Sequence, residues 1–207
     1  AHTTSPVMRA VLHGWMILIG LSVLTTYQHH FIDVPTGLAA GFLCLWLWPE
    51  HGPSPITSAR FTHDTRRRSL AVRYGIGALV CAVAATTIGG IALVLWWPAL
   101  ALGIVAFNYA FFDVPGFQKR PDGSHTLAAR ALLLPYMAGA WINSRAWTRG
   151  HPEAHLVRDG VWLGRMPDAR WLRGAPIQSV VDMSAELPAP RGDLGYSVHP
   201  VLDLSVA

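Results

Sequence analysis

The apolar positions of this chain fall into long runs, not into alternation. The first run, Val7 to Thr26, is 20 residues long and includes Gly14-Trp15-Met16-Ile17-Leu18-Ile19-Gly20. That length matches the roughly 20 residues a spanning helix needs. Arg9 and His13 near its start can snorkel or face a protein interior. The second run, Val34 to Pro49, is densest at Leu43-Cys44-Leu45-Trp46-Leu47-Trp48. Asp33 suits its N-terminal cap, Pro35 its first turn and Pro49 its end. A polar loop rich in Pro, Ser, Thr and Arg follows over residues 50–69. The third run, Leu70 to Gly90, is rich in Ala and Gly, which suits close helix packing in a membrane. Gly89-Gly90 predicts a tight turn. The fourth run, Ile91 to Phe112, carries Trp96-Trp97-Pro98, where the proline kinks the helix or delays its start. Residues 70–112 therefore read as a helical hairpin.

Past a polar loop at 113–125, residues 126–147 are again helical in period. Arg130, Pro135, Asn143 and Arg145 make this stretch too polar for a span and predict an amphipathic helix on the membrane surface. From residue 149 the chain reads as ordinary soluble protein, and residues 155–207 make a second pattern of short strands. Gly160 to Arg165 reads as a strand with a turn, Pro167 to Gly174 as a short helix, and Ile177 to Met183 and Tyr196 to Asp203 as further strands. This β-α-β order suggests an α/β sheet. The expected fold is thus mainly α: a transmembrane helix bundle of about four spanning helices plus one interfacial helix, followed by an incomplete α/β segment. The expected divisions are 1–50, 51–148 and 149–207.

Composition sharpens this picture. Only 14% of the 207 residues are charged and 52% are hydrophobic, against about 25% charged in an ordinary soluble domain. Nine tryptophans suit a bilayer interface. The net charge of +4 comes largely from Arg60, Arg66, Arg67, Arg68 and Arg73, which lie beside apolar segments. Such a cluster sets membrane orientation, and without a basic-aromatic surface or zinc-finger spacing it does not suggest nucleic acid. Cys44 and Cys81 lie in separate apolar runs and read as small buried hydrophobes. The start at Ala1 and the stop at Ala207 both read as the ends of a fragment. With the arginine loop cytoplasmic, His29 and Asp33 fall on the outer face, Lys119 and Arg120 inside, and the C-terminal segment in the cytoplasm.

The candidate chemistry sits at the first junction, Thr25-Thr26-Tyr27-Gln28-His29-His30-Phe31-Ile32-Asp33-Val34. Ionisable residues between apolar runs are expensive unless they face water, a partner or a substrate. His29 and Asp33 are four residues apart, so on a helix they share a face. A carboxylate there fixes the imidazole tautomer and leaves the other ring nitrogen as nucleophile or base. The plainer alternative is a polar helix end. His30 points about 100° away and reads as an interface residue. A zinc site from His29, His30 and Asp33 lacks a further ligand at characteristic spacing, so no metal is assigned.

Ser22, His29, Asp33 and Val34 stand in register with the pattern S-R-x5-H-x3-D-V. In this the chain resembles the third signature of the type 2 phosphatidic acid phosphatase superfamily. Pro35-Thr36-Gly37 and Ala40-Gly41 resemble the start of that family's last core helix. Val23 stands where the signature has a phosphate-binding arginine, as in the inositolphosphorylceramide-synthase-like branch. The resemblance implies that His29 is the nucleophile that carries a phosphohistidine and that Asp33 orients it. It implies a lipid phosphate or pyrophosphate as substrate, membrane lipids as partners and no cofactor. It also calls for an upstream lysine/arginine motif and a P-S-x-H motif that supplies the general acid, and neither occurs here. Lys119-Arg120-Pro121 lies after the histidine and on the opposite expected face. On this reading, the substrate-binding residues stay unassigned and the chain alone is inactive.

The C-terminal pattern, Gly160-Val161-Trp162-Leu163-Gly164-Arg165 then Ile177 to Glu186 then Tyr196 to Asp203, resembles the opening of a dual-specificity protein phosphatase domain. The chain ends before the H-C-x5-R loop of that family, Cys44 and Cys81 do not replace it, and Asp203 is not assigned as an acid. A generic α/β segment is the plainer alternative. Together the two resemblances imply a multi-pass protein of a bacterial inner membrane. Two rivals stay open: a non-catalytic membrane anchor for a cytoplasmic dual-specificity phosphatase domain, and a transporter or scaffold fragment in which His29 and Asp33 form a structural pair.

Overall fold

A computed structural model describes residues 5–25, 33–174, 177–189 and 194–203. The protein is mostly helical, with a small sheet part at the C-terminal end. It forms two compact units, Ala1–Cys44 and Leu45–Ala207. In the first unit, helix α1 is Pro6–Thr25, and helix α2, Asp33–Leu47, begins there. Ser5 caps α1, its hydroxyl accepting from the Met8 amide at 3.2 Å. The helix presents Val7, Val11, Trp15, Ile17 and Leu18 outward.

In the second unit, the end of α2 is pinned by a buried tryptophan. Trp46 Nε1 donates to the Gly116 carbonyl at 2.8 Å, and Gln118 Nε2 donates to the Trp46 carbonyl at 2.5 Å. Ser54 Oγ donates to the Leu47 carbonyl at 2.6 Å. The bonds from Gln118 and Ser54 use carbonyls that a helix C-terminus would otherwise leave open. Helix α3 is Thr65–Ile88. It starts five residues before the expected apolar run, because Asp64 caps it through the Arg66 amide at 2.8 Å. Arg66, Arg67 and Arg68 therefore form its first turn, where arginine is a good helix former.

Gly89 and Gly90, with φ of 65° and 56°, turn the chain, as the sequence predicts. A 3-10 segment, Gly90–Leu95, leads into helix α4, Trp96–Phe107. Pro98 thus delays the regular helix and sits in its first turn, where the missing N–H does no harm. The helix widens into a π-turn at Asn108–Phe112 and ends at Asp113. Helix α5, Leu127–Trp147, is capped by Thr126 Oγ1, which accepts from the Ala129 amide at 3.1 Å. It buries Ala128, Ala129, Leu132, Leu133, Tyr136 and Met137, while Leu134, Trp141 and Ile142 face out. The helix thus buries one stripe and exposes both apolar residues and Arg130.

Two of these elements, α3 and the continuous Gly90–Phe112 stretch, are long and apolar enough to cross a membrane. Most of their apolar surface is not covered by protein: Val72, Ile76, Leu79, Val80 and Val83 on α3 and Ile91 at 93% exposure look outward. The protein is not clearly a bundle of four spans, since the described apolar stretches of α1 and α2, Pro6–Ser22 and Asp33–Leu47, are shorter than these two. Cys44 is exposed and Cys81 half-buried, both as free thiols, so the burial expected of them does not hold. Cys44 lies beside exposed Leu45, whereas Cys81 lies one turn from the buried Ala85.

The C-terminal part differs from the expected β-α-β sheet. Strands β1, His155–Arg158, and β2, Val161–Leu163, pair with each other as an antiparallel hairpin. Gly160 closes its turn with φ of 75°. After the short helix α6, Ala169–Gly174, strands β3, Ser179–Ser184, and β4, Gly195–Val201, make a separate parallel pair. Both strands of the hairpin are mostly exposed, so water meets the backbone groups on their outer edges and no pairing with β3 is forced.

The polar ends of the hairpin helices are tied together. Arg67 Nη1 donates to Asp113 Oδ2 at 2.8 Å, and the amides of Arg60 and Thr62 donate to the carbonyls of Phe111 and Ala110. Asp113 and Gln118 both hold positive φ, a conformation that side chains resist. Asp113 offsets it by accepting from Arg67 and the Val114 amide, Gln118 by its bonds to Trp46 and Thr126. Gly116 packs directly on the buried Asn108 amide, leaving no room for a Cβ. Gly116→Ala is therefore expected to destabilise the protein by about 1–3 kcal/mol. Thermal unfolding in detergent checks this, and an unchanged midpoint contradicts the packing described.

Candidate functional site

Of the two residues read from sequence as catalytic, Asp33 lies at the start of α2. Asp33 is its first residue, exposed, and its main-chain carbonyl accepts from Thr36 Oγ1 at 3.1 Å. A carboxylate in the first turn lies at the favourable end of the helix dipole. Ser22, the first residue of the signature, is in α1, where its hydroxyl donates to the Ile19 carbonyl at 2.8 Å. His29, and His30 with it, lies outside the described residues. Among the described residues no group of three or more His, Cys, Asp or Glu is placed to hold a metal ion.

A second polar cluster, in the Leu45–Ala207 unit, joins the helices to the β3–β4 pair. Its centre is Lys119, the only lysine in the sequence. The loop between α4 and α5 folds back on itself through a bridge between Lys119 and His125 and aims the lysine at β3. Lys119 Nζ donates to Asp182 Oδ2 at 2.5 Å, to the Ser184 carbonyl at 2.5 Å and to the Leu187 carbonyl at 2.7 Å. An ammonium has three N–H donors, and all three are used. Its side chain is fully buried and that of Asp182 nearly so. Tyr196 of β4 donates a short hydrogen bond to the same Asp182 oxygen, and the Ser184 amide donates to the other at 2.8 Å. Burial pulls the lysine below its ordinary pKa, against the Asp182 hydrogen bond and charge. Burial beside Asp182 likewise pushes the Tyr196 hydroxyl up.

Four residues along, Glu186 is buried between two helices. Tyr109, in the π-turn after α4, donates a short bond to Oε1, and Tyr136 of α5 donates to Oε2 at 2.6 Å. Tyr74 of α3 packs on both rings, with centroids 5.5 Å from each. Burial raises the Glu186 pKa, the tyrosine hydrogen bonds oppose this, and the Asp203 charge adds to it. His125 lies beside this pair, Nε2 at 3.0 Å from the Ala185 carbonyl. Burial lowers its pKa, so the ring is neutral near pH 7. A carbonyl only accepts, which assigns the proton to Nε2 and leaves the buried Nδ1 without a partner.

These groups are committed to one another. Lys119 is buried against Asp182 and does not reach solvent. Arg120, by contrast, is exposed and lines an open cavity of about 620 Å³ with His51, Pro121, Asp122 and Thr126. Hydrogen bonds from Ser124 hold the Asp122 pKa down, so a carboxylate charge opposes an anion in this cavity. The sequence reading missed the Lys119–Asp182 and Glu186–tyrosine contacts. The one available signal was a single lysine among 16 cationic side chains.

Comparison with protein-family models, with curated proteins and with solved structures found no match.

The Glu186 shift has a sign that can be worked out. In the unfolded chain the carboxyl titrates near its ordinary 4.5, and in the folded chain it titrates higher. Between the two values the folded state binds more protons, so stability falls as pH rises. The contribution is full below 4.5 and is lost as pH passes the folded value. Denaturation midpoints measured upward from about pH 4.5 are expected to fall in the native protein and to fall less in Glu186→Gln. Identical slopes contradict the burial of an ionisable Glu186.

Proposed function

We propose that this chain belongs to a multi-pass membrane phosphatase that hydrolyses or transfers a lipid phosphate or pyrophosphate through His29. The observation that carries the reading is the register of Ser22, His29, Asp33 and Val34, with Asp33 opening an apolar helix. The His29 imidazole attacks phosphorus, the bond to the lipid oxygen breaks, and water then displaces phosphate from the ring nitrogen. A lipid acceptor in place of water gives transfer. Two-step transfer of this kind divides one barrier into two lower ones. Asp33 accepts from the other ring N–H and holds the tautomer. The proton for the leaving oxygen comes from a group outside His29 and Asp33.

The outward apolar faces of α1, α3 and α4 support the membrane setting. At 1.5 Å per residue, the 20 residues of α1 extend about 30 Å, the thickness of a hydrocarbon core. The arginines opening α3 lie at the same end of the hairpin as Asp113 and the loop carrying Arg120, as two cytoplasmic basic loops require. With α1 and α2 added to the hairpin the bundle has about four spans, and α5 lies at the interface. The inner membrane of a bacterium, with His29 outside and the C-terminal segment in the cytoplasm, is the proposed location.

A second reading is favoured by how firmly the C-terminal segment is seated on the helices: a non-catalytic anchor for a dual-specificity-phosphatase-like domain. His29→Ala separates the two. In the natural polypeptide, assayed in membranes for phosphate release from lipid phosphates, it is expected to lose on the order of 10³-fold or more in rate while still inserting. Asp33→Asn is expected to lose about 10²–10⁴-fold, as when a carboxylate behind a catalytic imidazole is removed. Full activity in His29→Ala overturns the histidine mechanism and favours the anchor.

A further inference from the structure

The β3–β4 pair shows an asymmetry. Its outer face is open, with Val181 and Met183 exposed. The segment that leaves the carboxyl end of β3, Asp182 to Leu187, has almost every polar group taken by the helices or by the loop between them. Lys119 takes the Asp182 carboxylate and the carbonyls of Ser184 and Leu187. His125 takes the Ala185 carbonyl. Tyr109 and Tyr136 take one oxygen each of Glu186. The remaining amides are tied within the strand pair: Ala185 to the Val201 carbonyl, and Glu186 and Leu187 to Ser184 Oγ. Tyr196 then links Asp182 to β4.

We propose that Asp182–Leu187 is a coupling element through which the relative placement of α4 and α5 sets the position of the β3–β4 pair. The geometry of Glu186 is the reason. One carboxylate is held by hydroxyls from two different helices, Tyr109 just past α4 and Tyr136 midway along α5, one on each oxygen. Hydrogen bonds weaken within about 1 Å of stretch, so a slide of α4 against α5 releases one of the two. A buried carboxylate that loses a donor costs more than the bond gained in forming it, so the segment follows the helices. Lys119 supplies the second fixed point, 63 residues before Asp182 in sequence. An arginine does not serve there, because a planar fork cannot address three convergent acceptors as an ammonium does. The inference is independent of the phosphatase reading and stands whether or not His29 reacts.

Hydrogen exchange by mass spectrometry on the full natural polypeptide in lipid nanodiscs tests it. Tyr109→Phe with Tyr136→Phe removes two hydroxyls, keeps the rings, and alters no residue of the strands. Lys119→Arg keeps the charge. In each variant the amides of β3 and β4 are expected to exchange about tenfold faster or more, with α3 and the β1–β2 hairpin unchanged. Coupling is reciprocal, so Asp182→Asn is expected to speed exchange in the 119–126 loop, on the helix side. Strand exchange within about twofold of the native protein in both helix-side variants overturns the proposal. So does a uniform rise in every element including β1–β2, which is general destabilisation.

Discussion

An ammonium buried to full exclusion of water is the constraint around which the Leu45–Ala207 unit is arranged. Stripping water from Lys119 and Asp182 costs several kcal/mol per ion unless every donor and lone pair is met. That requirement explains much of the local architecture. The loop after α4 turns back so that Lys119 reaches β3, and β3 ends in a bend so that the carbonyls of Ser184 and Leu187 converge on one nitrogen. Positive φ at Asp113 and Gln118 is tolerated because both residues are bonded on either side of that loop. Once Lys119 is in place, Glu186 falls between Tyr109 and Tyr136, and the strand pair has little freedom left.

The helices are governed by a different demand. Their outward faces are apolar, and water is a poor solvent for them. Within the hairpin, α3 and α4 meet through small residues: Ala85, Ala99 and Ala101 are buried, and Gly77 lies close to Leu102. Close approach of that sort lets helices pair without a hydrophobic driving force between them. Polar groups collect at one end instead, where Arg67, Asp113 and the capping Asp64 and Thr62 meet. Within the Leu45–Ala207 unit, the exposed apolar faces of α3 and α4 thus lie apart from the hydrogen-bonded contacts around Asp113.

Much of this is written locally in the sequence. Length and hydropathy give α1 through α5, Gly89-Gly90 gives the hairpin turn, and Pro98 marks the delayed start of α4. The early start of α3 escapes a hydropathy reading because Asp64 and three arginines are polar, although they make a good cap and first turn. The strand pairing escapes it because period alone does not name partners, and β1 pairs with β2 across the short turn at Gly160. The coupling contacts are the least visible, since Tyr109 and Glu186 are 77 residues apart, Lys119 and Asp182 are 63 apart, and no local pattern names either partner. For the proposed catalytic pair, the sequence carries the spacing and the structure adds the position of Asp33 at a helix start, while His29 lies outside the described residues.

The central functional claim is that His29 becomes phosphorylated. The most direct measurement is rapid acid-free quenching of the natural polypeptide during turnover of a lipid phosphate in membranes, followed by mass spectrometry of the peptide spanning residues 26–34. The account predicts acid-labile phosphate on the His29 ring and none on His30. Turnover without phosphate on His29 contradicts it.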